Sequence, residues 1–369
     1  MVLSLLFYVF IVLVCFQILY FLIVFTKISF HKALSTPIKE LSISVIVCAK
    51  NEEENLKNFL PSILEQNYAN FEVVLINDAS HDDSLLVMED FANKYKNIKI
   101  VNVKNNEAFW ANKKYALTLG IKASKHPYLL FIDADCKPRS NNWIREMSSQ
   151  FQSGKNIVLG YGAYTKIKNS LLNKLIRFET MLTAMQYFSW AKIGIPYMGV
   201  GRNLAYTKNT FFEASGFMSH MHIKSGDDDL FINQIANSEN TAISLSPDSF
   251  TISTPKTSFK DWINQKKRHI TTANHYKTNH KFILAFYYLS QLGFWLLSIL
   301  LLILLFKWEI VLTLFLLRIL IQYVVFFGAS KKLDEKDIIF FLPFFDFFLV
   351  AFQLTIFISN LISKPRHWK

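Results

Sequence analysis

Hydrophobic and polar positions divide the chain into three stretches. Residues 1–25 are almost uninterrupted Leu, Val, Ile and Phe, and the first charge is Lys27. About 20 apolar residues in a helix cross the hydrocarbon of a bilayer, so a retained membrane helix over residues 1–26 is expected. A cleaved signal peptide would begin with basic residues, carry a shorter apolar core and end on small residues. Those marks are missing here. Three comparable runs follow much later, at Phe282–Phe306, Trp308–Gly328 and Ile338–Ile362. Apart from Glu309 at the edge of the second, they hold only the charges Arg318 and Asp346. A charge within a spanning helix is costly unless it is paired or reaches an aqueous edge, which makes these two candidate partners.

The middle, residues 41–276, has a different texture. Ser42–Cys48, Phe71–Ile76, Ile98–Val103 and Tyr128–Ile132 are short, β-branched or apolar runs bounded by turn residues, the pattern of buried strands. Between them, Asn51–Gln66, Asp83–Tyr95 and Lys113–Ser124 carry helical periodicity. Alternating strands and helices with short links predict a doubly wound, mostly parallel sheet. Ligands of such sheets bind beyond the carboxyl ends of the strands. The polar clusters Lys50–Glu54, Asn77–Asp83 and Asp133–Lys137 fall at those ends. Residues 282–362 make a membrane region of about three helices, and Ser170–Trp190 is amphipathic, suited either to a membrane surface or to a core.

Composition sharpens this division. Of 369 residues, 51% are hydrophobic and 18% charged, which excludes a disordered chain. The formal charge of +12 suits an anionic membrane face, a phosphate-bearing substrate or nucleic acid. Its basic residues gather beside the apolar runs without an aromatic recognition motif, so no nucleic-acid partner is expected. Lys27, Lys32, Lys266, Lys267, Arg268, Lys277 and Lys281 flank the middle stretch, and the positive-inside rule places it in the cytoplasm. In a bacterium this means the inner membrane. Three later spans would leave the basic tail Lys364–Lys369 outside, so one of them is expected to be re-entrant or interfacial. Cys15, Cys48 and Cys136 are too scattered for a disulfide framework or a cysteine metal site.

Four segments carry candidate chemistry. Asp133-Ala134-Asp135 follows a strand, and alternate residues of an extended chain point the same way. Two carboxylates there suit Mg²⁺ or Mn²⁺ holding a substrate phosphate, or simply cap a turn. Asp78 closes VVLINDAS, where an acid contacts a ribose or base, or caps the next helix. SGDDDL gathers three acids before a helix, as a general base for a hydroxyl requires, or as helix capping favours. DWINQKKRH places Gln265, Arg268 and His269 on a basic stretch beside the second apolar run. There Trp262 is expected as an interfacial anchor, and Arg268 as a diphosphate ligand.

In this order the segments resemble the membrane-bound family 2 glycosyltransferases with a GT-A domain, including the cellulose synthase-like processive members. The resemblance covers Ser42 to about Tyr276 through SVIVCAKNEEENL, VVLINDAS, LLFIDADC, GRNLAY, SGDDDL and QKKRH. It implies an α/β, Rossmann-like GT-A sheet flanked by transmembrane helices. It also implies inverting, metal-dependent transfer of a sugar from a UDP- or GDP-sugar to a lipid-linked or glycan hydroxyl. By resemblance Ala49, Glu52 and Asp78 meet the nucleoside, and Lys113, in Asn112-Lys113, faces the nucleotide. Asp133 holds the donor, and Asp135, with Asp133, binds Mg²⁺ or Mn²⁺. The base is Asp227 if Leu230 anchors the motif, with Asp228 as the runner-up. Gln265 and Arg268 match the QxxRW motif of processive synthases, and Asn203 and His269 fall on the acceptor side. His269 stands where that motif has Trp, which leaves the acceptor and processivity open. A processive polysaccharide synthase is the first rival reading. A nucleotide-binding transport or scaffold protein without turnover is the second, and the intact Asp133, Asp135 and Asp227 weigh against it.

Overall fold

A computed structural model describes residues 1–31, 40–104, 113–151 and 154–362. Lys32, Asn112, the tail Lys364–Lys369 and the side chain of His269 lie outside what it describes. The described residues form two compact units. One is drawn from Met1–Lys32, Asn169–Ser189 and Thr257–His367, the other from Ala33–Lys168 and Trp190–Lys256. Residues 169–189 and 257–276, expected within the middle domain, thus fold with the apolar helices.

The second unit carries the sheet. Its strands are β1 (Ile43–Ala49), β2 (Phe71–Asp78), β3 (Ile98–Val103), β4 (Tyr128–Asp133), β5 (Cys136–Pro138), β6 (Ile157–Leu159), β7 (Gly162–Tyr164), β8 (Leu204–Thr207), β9 (Thr241–Ile243) and β10 (Thr251–Ser253). Seven of them form one sheet in the order β3-β2-β1-β4-β8-β6-β9. β8 runs antiparallel to β4 and β6, and the other pairs are parallel. β1 is buried almost throughout, as a central parallel strand covered on both faces must be. Val45, Val47, Val73, Leu75, Leu130 and Ile132 belong to its core. A small sheet, β5-β10-β7, lies apart from the strand alternation and has no counterpart in the sequence expectation.

Numbered in chain order, the helices are α1 (Val2–Tyr20) and α2 (Thr26–Ser29), joined by a π turn, then α3 (Glu53–Leu64), α4 (Ser84–Lys94), α5 (Lys113–Ala123) and α6 (Trp143–Ser148). They continue as α7 (Leu171–Ile193), α8 (Lys208–Glu213), α9 (Asp229–Ile235), α10 (Phe259–Ala273), α11 (Thr278–Ile303), α12 (Trp308–Lys332) and α13 (Leu342–Ile362).

Four helical stretches of the first unit are long and apolar enough to cross a membrane: Val2–Ser29, Thr278–Ile303, Trp308–Lys332 and Lys336–Asn360. Arg318 and Asp346 do pair, at 3.1 Å, and both are fully buried. Gln17 and Gln322 accept from Arg318, and Gln291 and Trp295 donate to Asp346 at 3.0 and 3.1 Å. The Arg318 guanidinium also lies 4.4 Å from the Phe294 ring centre. Each charge is thereby surrounded by partners, the condition under which buried charges are tolerated.

The amphipathic stretch is a core helix. α7 buries Phe178, Met181 and Met185, and its Arg177 is paired with Glu335 and Asp337. Trp262 corrects the expectation of a lipid anchor. It is fully buried on α10 and stacks on Phe352 of α13, with ring centres 4.4 Å apart. Lys266 of α10 pairs with Glu179 of α7 at 2.5 Å.

Candidate active site

At the carboxyl edge of the large sheet, two strand ends are laced together. After β1 the chain turns through Asn51 in the left-handed region, and after β2 through Ala79, also left-handed. Asn51 N–H donates to Ser80 Oγ, Glu52 N–H to Ser84 Oγ and Glu53 N–H to Asp82. Ala49 is buried. Burial raises the pKa of Glu52, and nearby Asp135, Asp133 and Asp82 raise it further, against the Asn55 hydrogen bond. Asp78 is likewise raised by burial, against Lys50 at 3.9 Å and Lys113.

β4 delivers Asp133. The strand then breaks, and Ala134-Asp135 form a turn rather than the extended stretch expected from the sequence. The turn still brings the carboxylates of Asp133 and Asp135 and the Cys136 sulfur within 4.8 Å of one another. Burial and the adjacent acids hold the Cys136 thiol protonated, so the hard ligands here are the two carboxylates. Desolvation and Asp133 both raise the Asp135 pKa, a repulsion that a divalent cation would relieve. The residues therefore fit Mg²⁺ or Mn²⁺.

Lys113 opens α5 and bridges two acids. Its Nζ lies 2.7 Å from Asp133 and 3.1 Å from Asp227. Burial works against the ammonium, but the two carboxylates outweigh it and hold its pKa well above that of an ordinary lysine. Asp227 is correspondingly lowered: burial opposes ionisation, and Lys113 overcomes it. Asp228 behaves oppositely. Burial and then Asp227 and Asp229 push it up to about 7, although Gly201 N–H and Asp229 N–H each donate to it at 2.7 Å. Gly226 makes this corner possible, since its φ is +91° and a Cβ would meet Leu230 Cδ1 at 2.4 Å. Lys113, Asp133, Asp227 and Asp228 line one small cavity of about 20 Å³, room for about one water.

Asn203 does not reach an acceptor. It is fully buried; its amide donates to the Tyr161 and Ser249 carbonyls at 2.9 and 2.7 Å, and its oxygen accepts from Trp143 at 3.1 Å. That saturated set makes it a fastener of the core. Gln265 and Arg268 lie on α10, in the other compact unit.

Two residues escaped the sequence reading. Lys114 is buried and donates to the His220 and Ile223 carbonyls at 2.7 and 3.0 Å, tying down the segment that leads to SGDDDL. Burial lowers its pKa to about 8. Arg202 lies beside the Asp133–Asp135 turn, close enough for its charge to act on Asp135. The only signal for either was position: Lys114 follows Lys113, and Arg202 stands inside GRNLAY.

Residues 44–219 match the family model described as glycosyl transferase family 2. An uncharacterized glycosyltransferase of Haemophilus influenzae is 33% identical over 34% of this chain and 37% of its own. The UDP-Glc:alpha-D-GlcNAc-diphosphoundecaprenol beta-1,3-glucosyltransferase of Escherichia coli is 28% identical over 33% of this chain and 45% of its own. The chain thus spans less than half the length of these two relatives. A mannosyltransferase from Pyrobaculum calidifontis, solved with GDP-Man and Mn²⁺, superposes over 89% of this chain and 99% of its own. Its TM-score is 0.58 at 17% identity, a likeness of fold. With the mostly parallel sheet and the acids at its carboxyl edge, these matches show that residues 44–219 are a family 2 glycosyltransferase domain of GT-A fold, in a chain whose described residues include four helices long and apolar enough to cross a membrane.

Proposed function

We propose that this chain is a membrane-embedded glycosyltransferase moving a sugar from a UDP- or GDP-sugar to the hydroxyl of a lipid-linked or glycan acceptor, with inversion, at the cytoplasmic face. The observation that carries this reading is the bridge Asp133–Lys113–Asp227, with Asp135 and Asp228 beside it. It sets a cation and a cluster of acids at the sheet edge where α/β folds bind ligands. The names of the relatives support both the donor class and a lipid-linked acceptor. We also propose residues 1–26 as anchor, 41–276 as the catalytic domain with interfacial helices towards its end, and 282–362 as the membrane region. Membrane lipids would then surround the apolar helices.

Asp78, Glu52 and the backbone at Ala49 would receive the nucleoside, and Lys113 the phosphates. Asp133 and Asp135 would hold Mg²⁺ or Mn²⁺, whose charge favours departure of the nucleoside diphosphate. Asp227 would take the acceptor hydroxyl's proton as its oxygen attacks the anomeric carbon from the face opposite the diphosphate. Lys113 keeps Asp227 ionised and ready to accept that proton. The value of about 7 for Asp228 favours a second assignment, because a base works best with a pKa near the working pH. Gln265, Arg268 and His269 remain proposed for the diphosphate and acceptor ends.

A panel of UDP- and GDP-sugars with Mg²⁺ or Mn²⁺, scored for nucleoside diphosphate release and thermal shift, tests the reading. Release with at least one donor is expected. Silence with every donor would sink it. Product length then separates single transfer from processive synthesis.

A further inference from the structure

Arg202 is built with unusual care for a residue outside every role described so far. Its backbone is pinned on both sides: Gly201 N–H donates to Asp228, Thr251 Oγ1 donates to the Arg202 carbonyl at 2.9 Å, and Asn203 is locked in the core. Its side chain runs over the small sheet. Nη1 donates to Ser253 Oγ at 2.7 Å and to the Ala163 carbonyl at 3.3 Å, and the guanidinium carbon lies 4.4 Å from the Tyr164 ring centre. The cradle is closely fitted. A Cβ on Gly162 would come within 3.1–3.2 Å of Arg202 Cβ, Nε and Cζ, so only glycine lets β7 approach it without displacing it.

What holds Arg202 is neutral. Among the described residues no carboxylate lies within 4 Å of it, although it belongs to the same field as Asp133 and Asp135. Its Nε and Nη2 hydrogens have no protein acceptor among those residues, while Nη1 is anchored. A guanidinium fixed at one nitrogen and open along the other edge is ready to make two parallel hydrogen bonds to an oxyanion. A merely structural arginine would close that edge on a carbonyl or on one of the acids nearby.

We propose that Arg202, cradled by Gly162, Tyr164 and Ser253, is an anion-binding position on the rim of the Asp133–Asp135 turn, and that its ligand is a phosphate oxyanion. The inference rests on the glycosyltransferase reading, which supplies two sources of that chemistry: the donor diphosphate and the phosphate of a lipid-linked acceptor.

The test uses the full chain in detergent, as wild type, Arg202→Met and Arg202→Lys, with four probes: GDP and UDP in the presence of Mn²⁺, dodecyl phosphate, and dodecanol as an uncharged control. Met keeps the stem on Tyr164 and removes the charge. Arg202→Met is expected to weaken a phosphate probe about tenfold or more with dodecanol unchanged, and Lys to recover part of the loss. Loss confined to GDP and UDP assigns the donor diphosphate. Loss confined to dodecyl phosphate assigns the acceptor side. Equal binding by wild type and Arg202→Met, or a loss shared with dodecanol, overturns the proposal. If the Met variant does not fold, the Lys variant decides by the same comparison. A wild-type chain that binds none of the phosphate probes overturns both this proposal and the reading beneath it, whereas failure of Arg202 alone appears only between variants.

Discussion

Two charge clusters in this chain solve opposite problems. In the helical unit Arg318 and Asp346 are matched one to one, capped by the amides of Gln17, Gln291 and Gln322, and sealed from solvent. At the sheet edge Lys113 stands between Asp133 and Asp227, with Asp135 and Asp228 close by, so acids outnumber the bridging cation. The first cluster balances its charges, although the Gln322 amide nitrogen is buried in it without a hydrogen-bond acceptor among the described residues. The second is unfinished, and its displaced pKa values record the imbalance: Asp227 pulled down, Asp135 and Asp228 pushed up. Ion pairing neutralises a buried pair in one place, and in the other it leaves acids in excess around one cation at a small cavity.

The comparison breaks most sharply at Asp227. Asp227→Asn should lower kcat by about 10²–10⁴-fold while nucleoside diphosphate affinity stays near wild type. Lys113 keeps Asp133, so stability should move by no more than about 1 kcal/mol. Activity that survives this change but disappears in Asp228→Asn would transfer the base assignment to Asp228.

Removing one member of the sealed pair should do the reverse. Arg318→Met strands Asp346 and is expected to cost about 3–5 kcal/mol in a detergent melting series, with the double variant Arg318→Met/Asp346→Leu recovering most of it. A double variant no better than the single would show that the pair is not what the helices depend on.

Lys114 lies between these extremes. Lys114→Met removes the ammonium donor from the Ile223 carbonyl and leaves the His220 carbonyl only the Ile223 N–H, and a loss of about 1–3 kcal/mol is expected with a smaller fall in kcat. Unaltered melting would remove it as a brace of the SGDDDL segment.

The smallest effect is a shape. A base must be ionised to act, so kcat falls as pH drops through its pKa. If Asp228 is the base, the acid limb lies near 7; if Asp227 is, Lys113 holds it well below that. A kcat profile from pH 5 to 9 separates the two.

Periodic features were legible from residue order. The first four strands fall within a residue or two of the expected positions, and the four apolar helices were visible from length and charge alone. Arg318 and Asp346 could be named as partners because lone charges in apolar runs are rare. Features built from distant segments were not legible. Asn203 looked like an acceptor residue until three groups, from Trp143, Tyr161 and Ser249, were seen to saturate it. Trp262 read as an interfacial anchor because nothing local announces Phe352 ninety residues on. Arg202 depends on Gly162 and Ser253, which share no motif with it.

The seat of Trp262 also governs how this protein can be cut and recombined. Gln265 and Arg268 ride on a helix whose indole is stacked on Phe352 and whose Lys266 is tied to Glu179. A fragment ending at residue 276 would keep the QKKRH letters but uncover a full tryptophan face and invite aggregation. Chimaeras with related enzymes should therefore exchange the 259–273 segment together with the 342–362 helix, as one inherited block.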